Sequence, residues 1–174
     1  MPLYFAYGSN MDVAGMAQRC PGAKPLGVAR LARHRFALMA EGYATIARDP
    51  RAEVWGVLWS LSLADVRPLD AYEDVASGLY SKAIQPVIKL AGGSAQALVY
   101  IGRVTRGPVR QRAEAAYLEN VVRAGLAWNL PDAYLRGMAA MGAKSLKDII
   151  ASEPLPVPAP RPKVQARFAT PHDR

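Results

Sequence analysis

The apolar positions along this chain switch between strand-like and helical spacing, with strands dominating the first two thirds and helices the last. "PLYFAY", Pro2 to Tyr7, is short and aromatic and predicts a first strand that runs into Gly8, Ser9 and Asn10. "MDVAGMAQRC" then predicts a short helix with Asn10 or Asp12 near its start. "AKPLGVARLARHRFALM" alternates in places and predicts one or two strands. "YATIARD" and "VWGVLWSL" predict two more, the second buried centrally because its apolar run is nearly unbroken. At Ser62 the period becomes helical, with Leu63, Val66, Leu69 and Tyr72 or Val75 in step. Ser62 and Asp65 have capping-box spacing, while Pro68 removes a hydrogen bond and predicts a short or broken helix. "LYSKAIQPVIKL" and "AQALVYIGRV" predict a last pair of strands around Gly92-Gly93.

The C-terminal third reads as helix. "RQRAEAAYLENVVRAGLAW" puts Tyr117, Leu118, Val121, Val122 and Gly125 on one face, and "PDAYLRGMAAMG" opens at Pro131 and stops at Gly142. Alternating prolines from Pro154 to Pro162 predict an extended segment. Strands first, helices last and few crossovers predict an α+β fold: a small, mainly antiparallel sheet able to close into a barrel, with flanking helices. The expected organisation is one domain over residues 1–150 and a Pro-rich tail over 151–174, with no internal repeat.

Composition narrows the function classes. The 174 residues, 51% hydrophobic and 21% charged, suffice for one cored domain. No apolar run reaches about 18 residues and no basic, apolar leader opens the chain, so neither a membrane span nor a signal peptide is expected. Cys20 is the one cysteine, which excludes an intrachain disulfide and fits a cytoplasmic protein. The net charge of +8 invites a nucleic-acid reading, but the bases are scattered and no aromatic RNA-binding motif accompanies them, so solvated surface charge is expected and no nucleic-acid partner. His34, His172 and Cys20 make no zinc spacing, and there is no phosphate loop or nucleophile elbow. An enzyme built from this chain works with carboxylates, amides and hydroxyls, without metal or cofactor. Asp70, Glu73 and Asp74 cluster at a predicted helix C-terminus, where the dipole disfavours acids and a solvated helix end is the plainer reading.

Four stretches together change the weight of these signs. "YFAYGSNM", "ATIARDPRAEVWGVLWSL", "LDAYEDVASGLY" and "YLENVVRAGLAWNLPDAYLRGM" follow one another over roughly residues 4 to 141. In that order they resemble the γ-glutamylcyclotransferases and their AIG2-like relatives. Asp74 departs from the pattern, which has glycine there. The resemblance implies a cofactor-free cyclisation of a γ-glutamyl amide to 5-oxoproline, with release of an amine or amino acid, by a monomer or homodimer. It implies Glu73 as the acid–base group. It implies that Tyr7, Gly8, Ser9, Asn10 and Met11 hold the glutamyl moiety, with Gly8 supplying close approach and a positive φ. Tyr80 is read as a substrate contact, as a group that orients Glu73, or as a core aromatic, and Tyr117 as a substrate contact or, more plainly, a core aromatic. The alternative is a binding module of the same fold without turnover.

Overall fold

The computed structural model describes residues 1–103 and 115–152. The predicted Pro-rich tail and the start of the helix expected from Arg110 lie outside the described residues.

Five strands form a closed barrel: β1 (Leu3–Ala6), β2 (Lys24–Leu38), β3 (Ala44–Ser60), β4 (Tyr80–Lys89) and β5 (Ser94–Gly102), in the spatial order β1-β3-β2-β4-β5. The pairs are antiparallel except β1 with β5, which run parallel where Tyr4 meets Leu98. "YATIARD" and "VWGVLWSL" are therefore one strand of 17 residues, not two. The turn-like Asp49-Pro50-Arg51 between them sits opposite a register shift in β2 between Ala32 and His34. Arg33 absorbs that shift at φ 61, and Pro50, which has no N–H to donate, loses no ladder bond there. A second shift falls between Pro25 and Gly27, where φ is 113.

The helices lie around the barrel. Helix α1 (Val13–Arg19) is capped by Asp12, whose carboxylate accepts from the Gly15 amide at 2.6 Å. Helix α2 (Leu63–Tyr72) carries the capping box read from Ser62 and Asp65 and runs unbroken through Pro68. Helix α3 (Ala115–Ala127) buries Leu118, Val121 and Val122, the expected face. Helix α4 (Asp132–Met141) lies between Pro131 and Gly142. Helix α5 (Leu146–Ala151) was not anticipated, although Ser145 and Asp148 close a full capping box. Three donors converge on one buried carboxylate to tie α5 to α3: Glu119 receives Lys144 Nζ at 2.5 Å, Ser152 Oγ at 2.9 Å and Arg123 at 3.1 Å. The bond from Lys144 does most to hold Glu119 below the usual carboxylate range, against its burial.

The barrel closes tightly where β3 crosses the end of β1. A Cβ on Gly56 would sit 2.2 Å from the Ala6 carbonyl oxygen and 3.0 Å from Phe5 Cζ. Backbone cannot yield there as a flexible side chain would. Gly56→Ala is therefore expected to cost about 1–3 kcal/mol or more as an overpacked core site. Gly137, exposed in mid-α4 with open space around it, should behave oppositely: Gly137→Ala should gain up to about 1 kcal/mol of helix propensity. Urea unfolding of both variants checks the pair, and a wild-type midpoint for Gly56→Ala would contradict the close crossing.

Candidate active site

Beyond β1 the chain passes through Tyr7 and Gly8 into a single 3-10 turn, Ser9–Met11. Met11 N–H donates to Gly8 O at 3.0 Å and Asp12 N–H to Ser9 O at 3.2 Å. Among the described residues, the N–H groups of Ser9 and Asn10 have no backbone acceptor, as expected for the opening of a helical turn. Gly8 does not have the positive φ anticipated for it; its φ is −120. What glycine supplies here is room, since a Cβ would lie 3.3 Å from Ala44 Cβ and 3.4 Å from the Tyr117 hydroxyl.

Glu73 is the residue that ends α2, at φ −81 and ψ 0, in the sparsely used bridge region. It is only 4% exposed. Glu73 and the turn share a narrow cleft, whose other walls are tyrosines and Ala44. Glu73 Oε1 accepts from Asn10 Nδ2 at 2.8 Å, and the same amide group donates to the Tyr4 hydroxyl at 2.9 Å. Arg19 Nη1 donates to Asn10 Oδ1 at 2.9 Å. Both ends of the Asn10 side chain are thus committed. Burial, and then the charge of Glu73, push the Tyr4 phenol well above its ordinary pKa, so it stays a neutral hydroxyl.

The other tyrosines brace the walls. Tyr7 donates to Tyr100 O at 2.5 Å, pinning the end of β1 to β5. The Tyr100 hydroxyl donates to Asp70 Oδ1 at 2.6 Å, and Lys82 meets Asp70 Oδ2 at 2.8 Å. Asp70 is thereby joined to the cleft wall and not to Glu73. Tyr80 donates to Ala44 O at 2.6 Å, and Ala44 N–H donates to the Tyr117 hydroxyl at 3.2 Å. Tyr80 and Tyr117 are therefore both core aromatics and cleft walls, and the two readings of them do not compete.

Tyr7, Gly8, Ser9, Asn10, Glu73, Tyr80 and Tyr117 line the cleft, as does the backbone of the unanticipated Ala44. Met11 does not. Its side chain is wholly buried, and its carbonyl accepts from Trp128 Nε1 at 2.8 Å, which seats the turn against the chain just after α3. Asp74 occupies a left-handed conformation, φ 51 and ψ 46, which explains why a glycine would serve at that position and why aspartate is tolerated. Cys20 is outside the cleft, its thiol raised to about 11 mainly by burial, and His34 bonds Ala32 O within β2. Sequence reasoning passed over Tyr4, Arg19 and Tyr100. Tyr4 and Tyr100 read as ordinary strand aromatics, and Arg19 stands nine residues from the asparagine it reaches.

A buried carboxylate in one cleft with a turn whose first N–H groups have no backbone acceptor among the described residues can take and return a proton while an oxyanion or carboxylate is held nearby.

Comparisons with known proteins agree on one family. Residues 4–119 match the family described as "Gamma-glutamyl cyclotransferase, AIG2-like". A Mus musculus protein named Gamma-glutamylcyclotransferase is 40% identical over 88 residues, which cover 45% of this chain and 47% of that one. Its Homo sapiens counterpart is 38% identical over a stretch of the same length and coverage. The matched stretch spans about half the length of these curated relatives. A solved structure named Gamma-glutamyl cyclotransferase superposes with a TM-score of 0.67 at 25% identity, covering 88% of this chain and 89% of the other. An uncharacterized Homo sapiens protein superposes with a TM-score of 0.65 at 26% identity, covering 88% of each chain.

The position of Glu73 depends on α2, and α2 depends on Asp65. Burial alone would raise the Asp65 carboxyl. Bonds from Ser62 Oγ at 2.7 Å, Ser62 N–H at 2.9 Å and Gly22 N–H at 3.2 Å outweigh it and hold the group below its ordinary value. A carboxyl depressed in the folded state stabilises fully above its unfolded pKa, about 3.9, and loses that contribution as pH falls through the lower folded value. Asp65→Asn should therefore cost roughly 1–3 kcal/mol at pH 7. The gap from wild type should narrow in acid. Urea unfolding at pH 7 and pH 3 measures it, and a gap independent of pH would mean that the charge of Asp65 is not what the cap uses.

Proposed function

Since the chain belongs to the gamma-glutamyl cyclotransferase, AIG2-like family, we propose that it closes a γ-glutamyl amide onto its own α-amino group, forming 5-oxoproline and releasing the amine. The observation that carries this reading is the buried Glu73 carboxylate, held by Asn10 in the same cleft as the N–H groups of Ser9 and Asn10.

The nucleophile belongs to the substrate, which is why the cleft needs no serine or cysteine of its own. Glu73 takes a proton from the α-ammonium group. The freed nitrogen attacks the γ-carbonyl carbon, a C–N bond forms and the carbonyl electrons move onto oxygen. The oxyanion is met by an N–H of the Ser9–Asn10 turn, a donor already in place before charge develops. The tetrahedral centre then expels the amide nitrogen, which receives the proton carried by Glu73, and the restored carboxylate passes the surplus proton of the ring nitrogen to the departing amine, which leaves as an ammonium. One bond forms, one breaks, and the carboxylate is regenerated without water or an external electron carrier.

Two effects divide the acceleration. Folding the glutamyl chain so that its amine lies over its own carbonyl can supply up to about 7–11 kcal/mol in the best intramolecular cases. Proton transfer through a positioned carboxylate contributes typically ~10²–10⁴-fold. A narrow, tyrosine-walled space suits the first task, because it excludes the extended conformers of a flexible chain.

Glu73→Gln keeps the shape and removes the base. It should lower 5-oxoproline formation by ~10²-fold or more, with fold and ligand binding kept. Mass spectrometry on a panel of γ-glutamyl amino acids, γ-glutamylamines and glutathione reads the product and ranks the leaving groups by kcat/KM. A folded Glu73→Gln enzyme with wild-type turnover would remove Glu73 from the chemistry. Binding without turnover by the wild type would favour the binding-module reading instead.

Gly8 tests the other wall. Gly8→Val projects two methyl groups beyond a Cβ that is already in contact with Ala44 and Tyr117, and should abolish most activity while circular dichroism stays native. Ser9→Ala should cost no more than about 0.5–1.5 kcal/mol, the worth of the bond between its hydroxyl and Tyr72 Oη at 3.1 Å, because its N–H is untouched. Full activity in Gly8→Val would mean that the turn holds no substrate.

A further inference from the structure

We infer that Arg19 is a positioning residue for this cleft, locking the Asn10 carboxamide so that its NH₂ end stays on Glu73 through the whole proton cycle. The inference rests on the reading of Glu73 as the group that carries the proton.

An asparagine side chain has two orientations of nearly equal shape and opposite hydrogen-bonding sense. While Glu73 is ionised, its oxygen itself selects the NH₂ end of Asn10. Once Glu73 has taken a proton, that selection disappears, because a neutral carboxyl can donate to the amide oxygen as readily as it accepts from the amide nitrogen. Tyr4 cannot decide the matter, since a hydroxyl serves as donor or acceptor. Arg19 can. A guanidinium only donates, and its Nη1 holds Asn10 Oδ1 at 2.9 Å. The NH₂ end therefore remains on Glu73 Oε1 in both protonation states, and the carried proton stays on the other carboxyl oxygen, from which it passes to the leaving amine. If the amide turned over, its oxygen could accept that proton's hydrogen bond and keep it from the reaction.

The guanidinium is itself held. Its central carbon lies 4.0 Å from the ring centroid of Tyr72, the last residue of α2 and the neighbour of Glu73. Tyr72 Oη lies 3.1 Å from Ser9 Oγ, so the same stack spans the turn and α2. Arg19 reaches Asn10 by lying back across α1 over Gly15. A Cβ on Gly15 would stand 2.8 Å from Arg19 Nη1. Glycine is a poor residue for a helix, and here its bare backbone clears the path of the guanidinium.

This gives two separate ways to disturb one contact. Arg19→Met should lower kcat roughly ten- to hundredfold, the range for losing a charge-assisted bond, and leave KM for a γ-glutamyl dipeptide within about threefold. Gly15→Ala places a Cβ 2.8 Å from Arg19 Nη1 and 3.0 Å from the capping Asp12 Oδ2, so it should lower kcat in the same direction, with circular dichroism confirming that the variant is folded. The double variant Arg19→Met/Asn10→Ala should turn over no more slowly than Asn10→Ala alone, because Arg19 acts through Asn10. Multiplying losses would overturn the inference, as would wild-type kcat in Gly15→Ala. Side-chain amide exchange by NMR supplies a readout independent of turnover. The Asn10 NH₂ protons should exchange slowly in the wild type and faster in both single variants. Unchanged slow exchange in Arg19→Met and Gly15→Ala would sink the proposal even if the protein turned over no γ-glutamyl compound. An active Glu73→Gln enzyme would instead strike the proposed mechanism and leave the exchange experiment to decide on Arg19.

Discussion

A carboxylate removed from water must be given donors, and the bond from Asn10 Nδ2 to Glu73 Oε1 is the contact around which this end of the barrel is organised. It joins two segments 63 residues apart, the turn after β1 and the end of α2. Each segment has its own anchor. The turn is seated by Trp128 on the Met11 carbonyl and by Tyr7 on β5. Helix α2 is fixed at its far end by Asp65, which also reaches Gly22 after α1. Trp128 and Asp65 lie outside the cleft, yet they seat the two segments that the 2.8 Å bond joins.

The cleft walls follow from the same economy of polar groups. Buried tyrosines bring large apolar area, but each hydroxyl needs a partner. Tyr7, Tyr80 and Tyr100 donate to Tyr100 O, Ala44 O and Asp70, and Tyr117 accepts from Ala44 N–H. Those bonds cross between β1 and β5, β4 and β3, β5 and α2, and α3 and β3, so satisfying the hydroxyls also stitches the barrel mouth. Tyr4 and Tyr100 add an edge-to-face contact at 5.7 Å. The residues that make the space are thus also those that stabilise it.

Local signals in the sequence were sufficient for the elements that local physics decides. The capping box at Ser62, the proline–glycine limits of α4 and the buried face of α3 are all short-range features, and all are present. The errors came where tertiary pairing overrides a local cue. Asp49-Pro50-Arg51 looks like a turn, but these are extra residues of β3 bulging opposite Arg33 of β2, and the strand continues. Met11 continues the Gly-Ser-Asn run in sequence, yet the 3-10 turn carries its side chain into the core. Tyr4, Tyr100 and Arg19 owe their places to pairings of β1 with β5 and to the path of α1, which no spacing along the chain encodes. Helix α5 is a different case, since its Ser145–Asp148 box was legible and was passed over beside the conspicuous prolines.

Gly8 and Asp74 show two different reasons for glycine in such a turn. At Gly8 φ is negative, and the constraint is the volume in front of it. At Asp74 the constraint is the backbone itself, which is left-handed, and the side chain is secondary. Aspartate can meet the second requirement at modest cost because its short polar side chain tolerates that region. A valine at Gly8 strains the first, because its Cβ alone already stands 3.3 Å from Ala44 Cβ and 3.4 Å from the Tyr117 hydroxyl. A departure from a glycine pattern is therefore tolerable where the demand is conformational and disabling where it is spatial. By that criterion Asp74 is compatible with an intact cleft, since it alters the charge next to Glu73 without narrowing the space that the glutamyl group would occupy.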